Sequence, residues 1–226
     1  MWRPRHAAAG QHGGLPKPLV EVGGRPIVWH VVRLLAAQGL RRFLLATGHR
    51  GDQVAAFAAD ADWGAGVSVE CVDTGVDTPT GGRLHALAGR LESRFLLAYA
   101  DGVADLDLAA LRRFHAAHGA LATLTVVRPP LPFGVALLDG GDRVTGFREK
   151  PPADCWVNGG FFVFEPGVLR YLAADSVLER EPLERLAADG QLRAYRHERF
   201  WACMDTYKDT VALNDLWASG AAPWRH

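Results

Sequence analysis

Asp101 closes the stretch Leu97-Ala-Tyr-Ala-Asp-Gly, and Asp205 closes Phe200-Trp-Ala-Cys-Met-Asp-Thr. Each carboxylate follows an apolar run of strand character, and strand ends are where open α/β folds bind ligands. Two carboxylates converging at such an edge can hold Mg2+. That ion keeps several waters and takes one or two protein carboxylates together with substrate phosphates. The pair points to chemistry on a phosphate.

Other polar groups are spaced along the chain. Asp73-Thr-Gly-Val-Asp-Thr-Pro-Thr-Gly-Gly-Arg83 is the densest polar, glycine-containing run, and it opens a predicted helix. A helix start offers free N–H groups to an anion, although a simple turn with Thr80 as N-cap accounts for the same residues. Glu149-Lys150-Pro151 and Asn158-Gly-Gly160 can pair with a phosphate and with sugar hydroxyls, and each also reads as an ordinary solvated turn. Lys17 is held between two prolines, a stiff setting for a lone cation. Asp105-Leu-Asp107 has the D-x-D spacing of some metal sites but opens a helix, where capping is the better reading.

These groups need a scaffold. Residues 26–39, 51–60, 81–92, 107–118, 181–189 and 208–218 read as helices from their periodicity and stop signals. Residues 42–47, 67–72, 95–100, 121–128 and 157–164 read as strands, with a hairpin over 134–138 and 143–148. Alternation through the first half predicts one α/β domain: a Rossmann-like, mixed and mostly parallel sheet with helices on both faces. At 226 residues with 49% hydrophobic content, the chain can build one large core. Formal net charge is zero, which argues against nucleic acid or an acidic membrane surface as partner. The three cysteines lack zinc spacing, and a reducing, cytoplasmic setting is expected. None of the nine histidines is needed for chemistry; His30 and His115 are expected to pack.

Taken in order, the segments KPLVEVGGRPIVWH (17–30), VDTGVDTPTGGRL (72–84), AYADGVADLDL (98–108), FHAAHGALATLTVVRPP (114–130), FREKP (147–151), VNGGFFVFEP (157–166), EREPLERLAADGQL (179–192) and FWACMDT (200–206) resemble the sugar-1-phosphate nucleotidyltransferases, most closely the glucose-1-phosphate cytidylyltransferase branch. The resemblance implies Mg2+-dependent formation of CDP-glucose and pyrophosphate from CTP and glucose 1-phosphate, for nucleotide-sugar (lipopolysaccharide or deoxysugar) biosynthesis. It assigns Asp101 and Asp205 to the metal and Lys17 to the nucleotide phosphates. Thr78, Arg83 and the backbone at Ala100 fall to the nucleotide, although the family usually has Gly where Ala100 stands. Glu149, Lys150, Asn158 and Gly159 fall to the sugar phosphate. A homo-oligomer is expected. A relative using dTTP or UTP, and a catalytically inactive sugar-nucleotide-binding subunit, are the alternatives.

Two departures stand out. The family opens with a strand running into G-G-x-G-T-R, whereas residues 1–12 here read as neither strand nor loop. Written in GC-rich codons and shifted by one nucleotide, residues 1–10 become Cys-Gly-Gly-Leu-Gly-Thr-Arg-Leu-Arg. Residues 1–12 are therefore expected to be an out-of-frame reading of that loop, ahead of a single domain over 13–226. A chain made as written is expected to be poorly stable, with little or no transferase activity. The passage from Ala61 to Val72 is also shorter than the family's, which carries a subunit-packing hairpin there.

Overall fold

The computed structural model describes residues 14–91 and 93–225; the expected out-of-frame segment and the first strand lie outside them. A short hairpin, β1 (Glu21–Val22) and β2 (Arg25–Pro26), leads into α1 (Ile27–Ala37). Then follow β3 (Arg42–Thr47), α2 (Gly51–Asp60), β4 (Ser68–Asp73), α3 (Thr80–Ala86), β5 (Phe95–Ala98), β6 (Gly102–Ala104) and α4 (Leu108–His118). The second half runs β7 (Ala122–Val127), β8 (Val135–Leu138), β9 (Val144–Arg148), β10 (Val157–Phe164), α5 (Glu181–Ala188), β11 (Leu192–Arg196), β12 (Trp201–Cys203) and α6 (Tyr207–Ala218).

The main sheet has the order β11-β7-β10-β5. Its centre, β10, is VNGGFFVF, apolar on both faces as a doubly covered strand must be. Phe161 and Val163 pack with α1 and Trp224 on one face, and Phe162 and Phe164 with Val168, Leu178 and Leu186 on the other. The mixed α/β expectation holds. Among the described residues, parallel pairing is confined to β3 with β4 and β7 with β11. This is less than a mostly parallel sheet would have, because β10 runs antiparallel to both of its neighbours.

β3 and β4 form a separate parallel pair, held by Trp63, Ala58 and Val32 beneath them. Helix α4 starts where Asp107 accepts from the Ala110 amide at 2.8 Å, so the second aspartate of the D-x-D triplet is a cap. Helix α6 carries a reciprocal capping box between Thr206 and Asp209. His30 and His115 are both buried, as expected of packing residues. Among the described residues, no helix is long and apolar enough to cross a membrane.

Candidate active site

The pairing of β6 with β12 assembles the carboxylates. Gly102 lies opposite Cys203, and the Met204 amide donates to the Asp101 carbonyl at 2.9 Å. Asp101, in the turn after β5, is thereby brought beside Asp205, which precedes α6. Lys17, on a 3-10 turn opened by Pro16, places its ammonium between them, 2.6 Å from each carboxylate. Burial by itself would lower the Lys17 pKa, but the hydrogen bonds to both aspartates outweigh it and hold it above the ordinary lysine value. The same hydrogen bond holds the Asp205 carboxyl below its usual range.

Among the described residues, Asp101, Cys203 and Asp205 make the one group whose donor atoms could share a metal ion, all within 4.8 Å. Two hard carboxylates facing a common point, already filled by a cationic ammonium, suit a hard divalent cation. Burial, reinforced by the neighbouring carboxylates, pushes the Cys203 thiol up.

Two cavities meet at Asp101. The larger, of about 500 Å3, has a polar mouth of Lys17, Thr47, Gly48, Arg83, Ala100 and Asp101. The smaller, of about 270 Å3, is lined by Tyr99, Asp101, Asn158, Gly159, Trp201 and Asp205. The β10–β7 register shifts before Phe162, just past the pair that Val126 makes with Asn158. Asn158 Oδ1 accepts from the Gly160 amide at 2.8 Å, where φ is +76° and a side chain would be strained.

Lys17, Ala100 and Arg83 thus gather at one cavity and Asn158 and Gly159 at the other, with the aspartates between. The remaining expectations fare differently. Glu149 and Lys150, at the end of β9, are exposed, paired to each other at 3.7 Å, and line neither cavity. The hairpin of β8 and β9 pairs only with itself among the described strands and is not drawn onto the sheet. Thr78 donates to the Thr74 carbonyl and also lies off the cavities.

The start of α3 is no anion cradle. Segment 174–178 covers it: the Gly82 amide donates to Ser176, and Thr80 bridges the Leu178 amide and Glu179. Nor is Thr80 the cap, which is Pro79. Arg83 reaches back to the Thr47 carbonyl and Thr74 Oγ1, at 2.7 and 2.6 Å, and ties the ends of β3 and β4 together.

Sequence reasoning missed a second polar group. The Tyr99 phenol donates to Glu179 and takes a hydrogen bond from Asn158 Nδ2 at 3.4 Å. Burial, and then Glu179, push the phenol well above its ordinary value, so it remains a donor. Trp201 Nε1 donates to the Gly159 carbonyl at 2.8 Å and fixes the cavity wall. Glu179 stands in one of the resembling segments, which was the available signal.

A nucleotidyl transferase family model matches residues 13–220. Glucose-1-phosphate cytidylyltransferase of Salmonella typhi is 39% identical, with 93% of this chain and 91% of the relative aligned. That alignment spans 238 positions against 226 residues here, so the relative holds segments this chain lacks. Mannose-1-phosphate guanylyltransferase of Mycobacterium tuberculosis is 32% identical over 92% of this chain but only 60% of its own length. The crystal structure of HddC from Yersinia pseudotuberculosis superposes with a TM-score of 0.71 over 91% of each chain, at 18% identity, a likeness of fold.

Proposed function

The chain belongs to the nucleotidyl transferase family, as a sugar-1-phosphate nucleotidyltransferase close to the glucose-1-phosphate cytidylyltransferases, and on that premise we propose that it transfers cytidylyl from CTP to α-D-glucose 1-phosphate. The products are CDP-glucose and pyrophosphate. The Lys17–Asp101–Asp205 cluster at the junction of two cavities carries the reading.

A phosphate oxygen of the sugar phosphate attacks the α-phosphorus, and the bond to pyrophosphate breaks in line. That oxygen is already ionised, so no general base is required, and the protein's task is positioning and charge neutralisation. Asp101 and Asp205 would hold Mg2+, which supplies charge neutralisation for the phosphates and orients the leaving group. Lys17, released from the carboxylates, turns its ammonium to the nucleotide phosphates. Arg83 and the backbone at Ala100 bound the nucleotide. Asn158, Gly159 and the Tyr99–Glu179 pair line the sugar side, where acceptors and donors meet hydroxyls. The proposal rests the sugar side on this set, since Glu149 and Lys150 stand away from the cavities.

The test incubates the chain with glucose 1-phosphate, Mg2+ and, separately, CTP, dTTP, UTP, GTP and ATP, and identifies products by mass spectrometry. CDP-glucose as the main product supports the reading. Preference for another nucleotide, or no product together with no Mg2+-dependent CTP binding in calorimetry, would overturn it.

A further inference from the structure

The chain between Arg128 and Trp156 leaves the main sheet as an arm. At its neck the Leu131 amide donates to the Pro151 carbonyl at 2.8 Å, and the Ala153 amide to the Pro129 carbonyl at 2.9 Å. Arg128 clamps the neck, donating to the Ala153 and Asp154 carbonyls at 3.0 and 3.1 Å. Beyond it stands the hairpin of β8 and β9, and among the described residues each strand pairs only with the other. An isolated two-stranded hairpin is marginal in water; three or more strands with an apolar face are needed for stability. The arm is also poorly covered. Of the ten large apolar side chains left exposed among the described residues, it holds five: Phe133, Leu137, Leu138, Val144 and Phe147.

The charges along β9 complement themselves. From Asp142 the chain reads Asp-Arg-Val-Thr-Gly-Phe-Arg-Glu-Lys150, exposed throughout except at the half-buried Gly146. Laid antiparallel against a second copy with Gly146 opposite Gly146, Arg143 falls opposite the second copy's Glu149, and Asp142 opposite its Lys150. The two-fold axis repeats both, which makes four opposite-charge pairs. Between them Phe147 faces Thr145, Val144 lies under the aliphatic stem of Arg148, and the two Phe147 rings are diagonal neighbours within reach of each other. A slip of one residue sets Arg143 against Arg148 in one direction and against Lys150 in the other, so the charges select a single register. The present partners are no obstacle. Arg143 lies 2.8 Å from Asp139, and Lys150 3.7 Å from Glu149, both on the surface, where such pairs add little. A guanidinium also has donors enough for Asp139 and a second carboxylate together.

We propose that β9 is a self-association edge: two copies of this chain pair their β9 strands antiparallel about a two-fold axis at Gly146. The two hairpins then form one four-stranded sheet in the order β8-β9-β9-β8. Its new ladder satisfies the unpaired backbone groups of β9, and its centre covers Phe147 and Val144. Strand β8 offers no equivalent edge, because Val135–Leu138 carries no charge to set a register.

The test is sedimentation of the whole chain over a dilution series. A dimer that dissociates on dilution is expected, with hydrogen-exchange protection at residues 144–148 that grows with concentration. Arg143→Glu sets like charges opposite each other on both sides of the axis and is expected to weaken association roughly tenfold or more. Glu149→Arg should do the same. Carrying both substitutions in one chain should restore association, and so should mixing the two single variants, because each supplies the charge the other lacks. Both positions are exposed, so the urea midpoints should stay near the parent's. A monomer at every concentration, single reversals that associate as the parent does, or mixed variants that stay apart would sink the proposal. So would association that protects other residues and leaves 144–148 unchanged, which would place the interface elsewhere.

Discussion

Lys17 is the residue on which the site turns. The ammonium that bridges Asp101 and Asp205 in the structure is the one the reaction needs on phosphate, and the exchange depends on the two carboxylates being present together. Asp205 has a side chain 68% exposed, so it adds little to stability. Replacing it by Asn is expected to lower kcat/KM for CDP-glucose formation by about 100-fold or more, to abolish Mg2+-dependent CTP binding, and to leave the urea midpoint nearly unchanged. An Asp205→Asn chain that binds Mg2+ and CTP normally would remove the aspartate from the metal site. Both aspartates were legible because each closes an apolar run in a distinctive local context. The ion pairs were not, because they join residues 84 and 188 positions apart. The Tyr99–Glu179 pair was hidden for the same reason.

Among the elements, α3 shows how composition misleads. Two glycines before an arginine suggested a cradle for phosphate, but they are small because other backbone passes over them. A Cβ on Gly82 would fall 2.1 Å from the Ala174 carbonyl oxygen, which is backbone and has little room to yield. Gly82→Ala is therefore expected to cost about 1–3 kcal/mol, the scale of an overpacked core. Thr206→Ala, which breaks the capping box of α6, is expected to cost about 1 kcal/mol. Urea unfolding of the two variants checks both, and a Gly82→Ala chain as stable as the parent would refute the packing role. Helices α1, α2, α4 and α6 were readable from the sequence because periodicity and caps are local. The run before Asp205 was readable too, as β12. Strand β11 was not: it is an arginine-bearing edge strand with little apolar pattern, and it exists through its pairing with β7.

For the whole molecule, buried imidazoles set the response to pH. His30 and His115 are held below the ordinary value of 6.5, chiefly by burial. The Trp224 indole donates to His30 Nδ1, at 3.4 Å, so protonating that nitrogen would break the contact. A depressed folded-state pKa gives stability that is complete above the unfolded value and is lost as pH falls. Unfolding free energy should therefore hold steady near pH 8 and decline as pH drops through 6.5. A further decline is expected below about 4, where Glu165, depressed by Arg94 and His115, takes up a proton. Urea titrations from pH 8 to 4 test this, and a flat profile between 7 and 5 would contradict it. The class of fold, the family and the two aspartates were all legible in the chain, since apolar periodicity, caps and short motifs are written over neighbouring residues. The packed fold was needed to show that Lys17 bridges the aspartates, that the α3 glycines serve packing, and that Glu149 and Lys150 stand apart. Each of these is a contact or a gap between segments far apart in the chain, fixed by strand pairing and by what the core can cover.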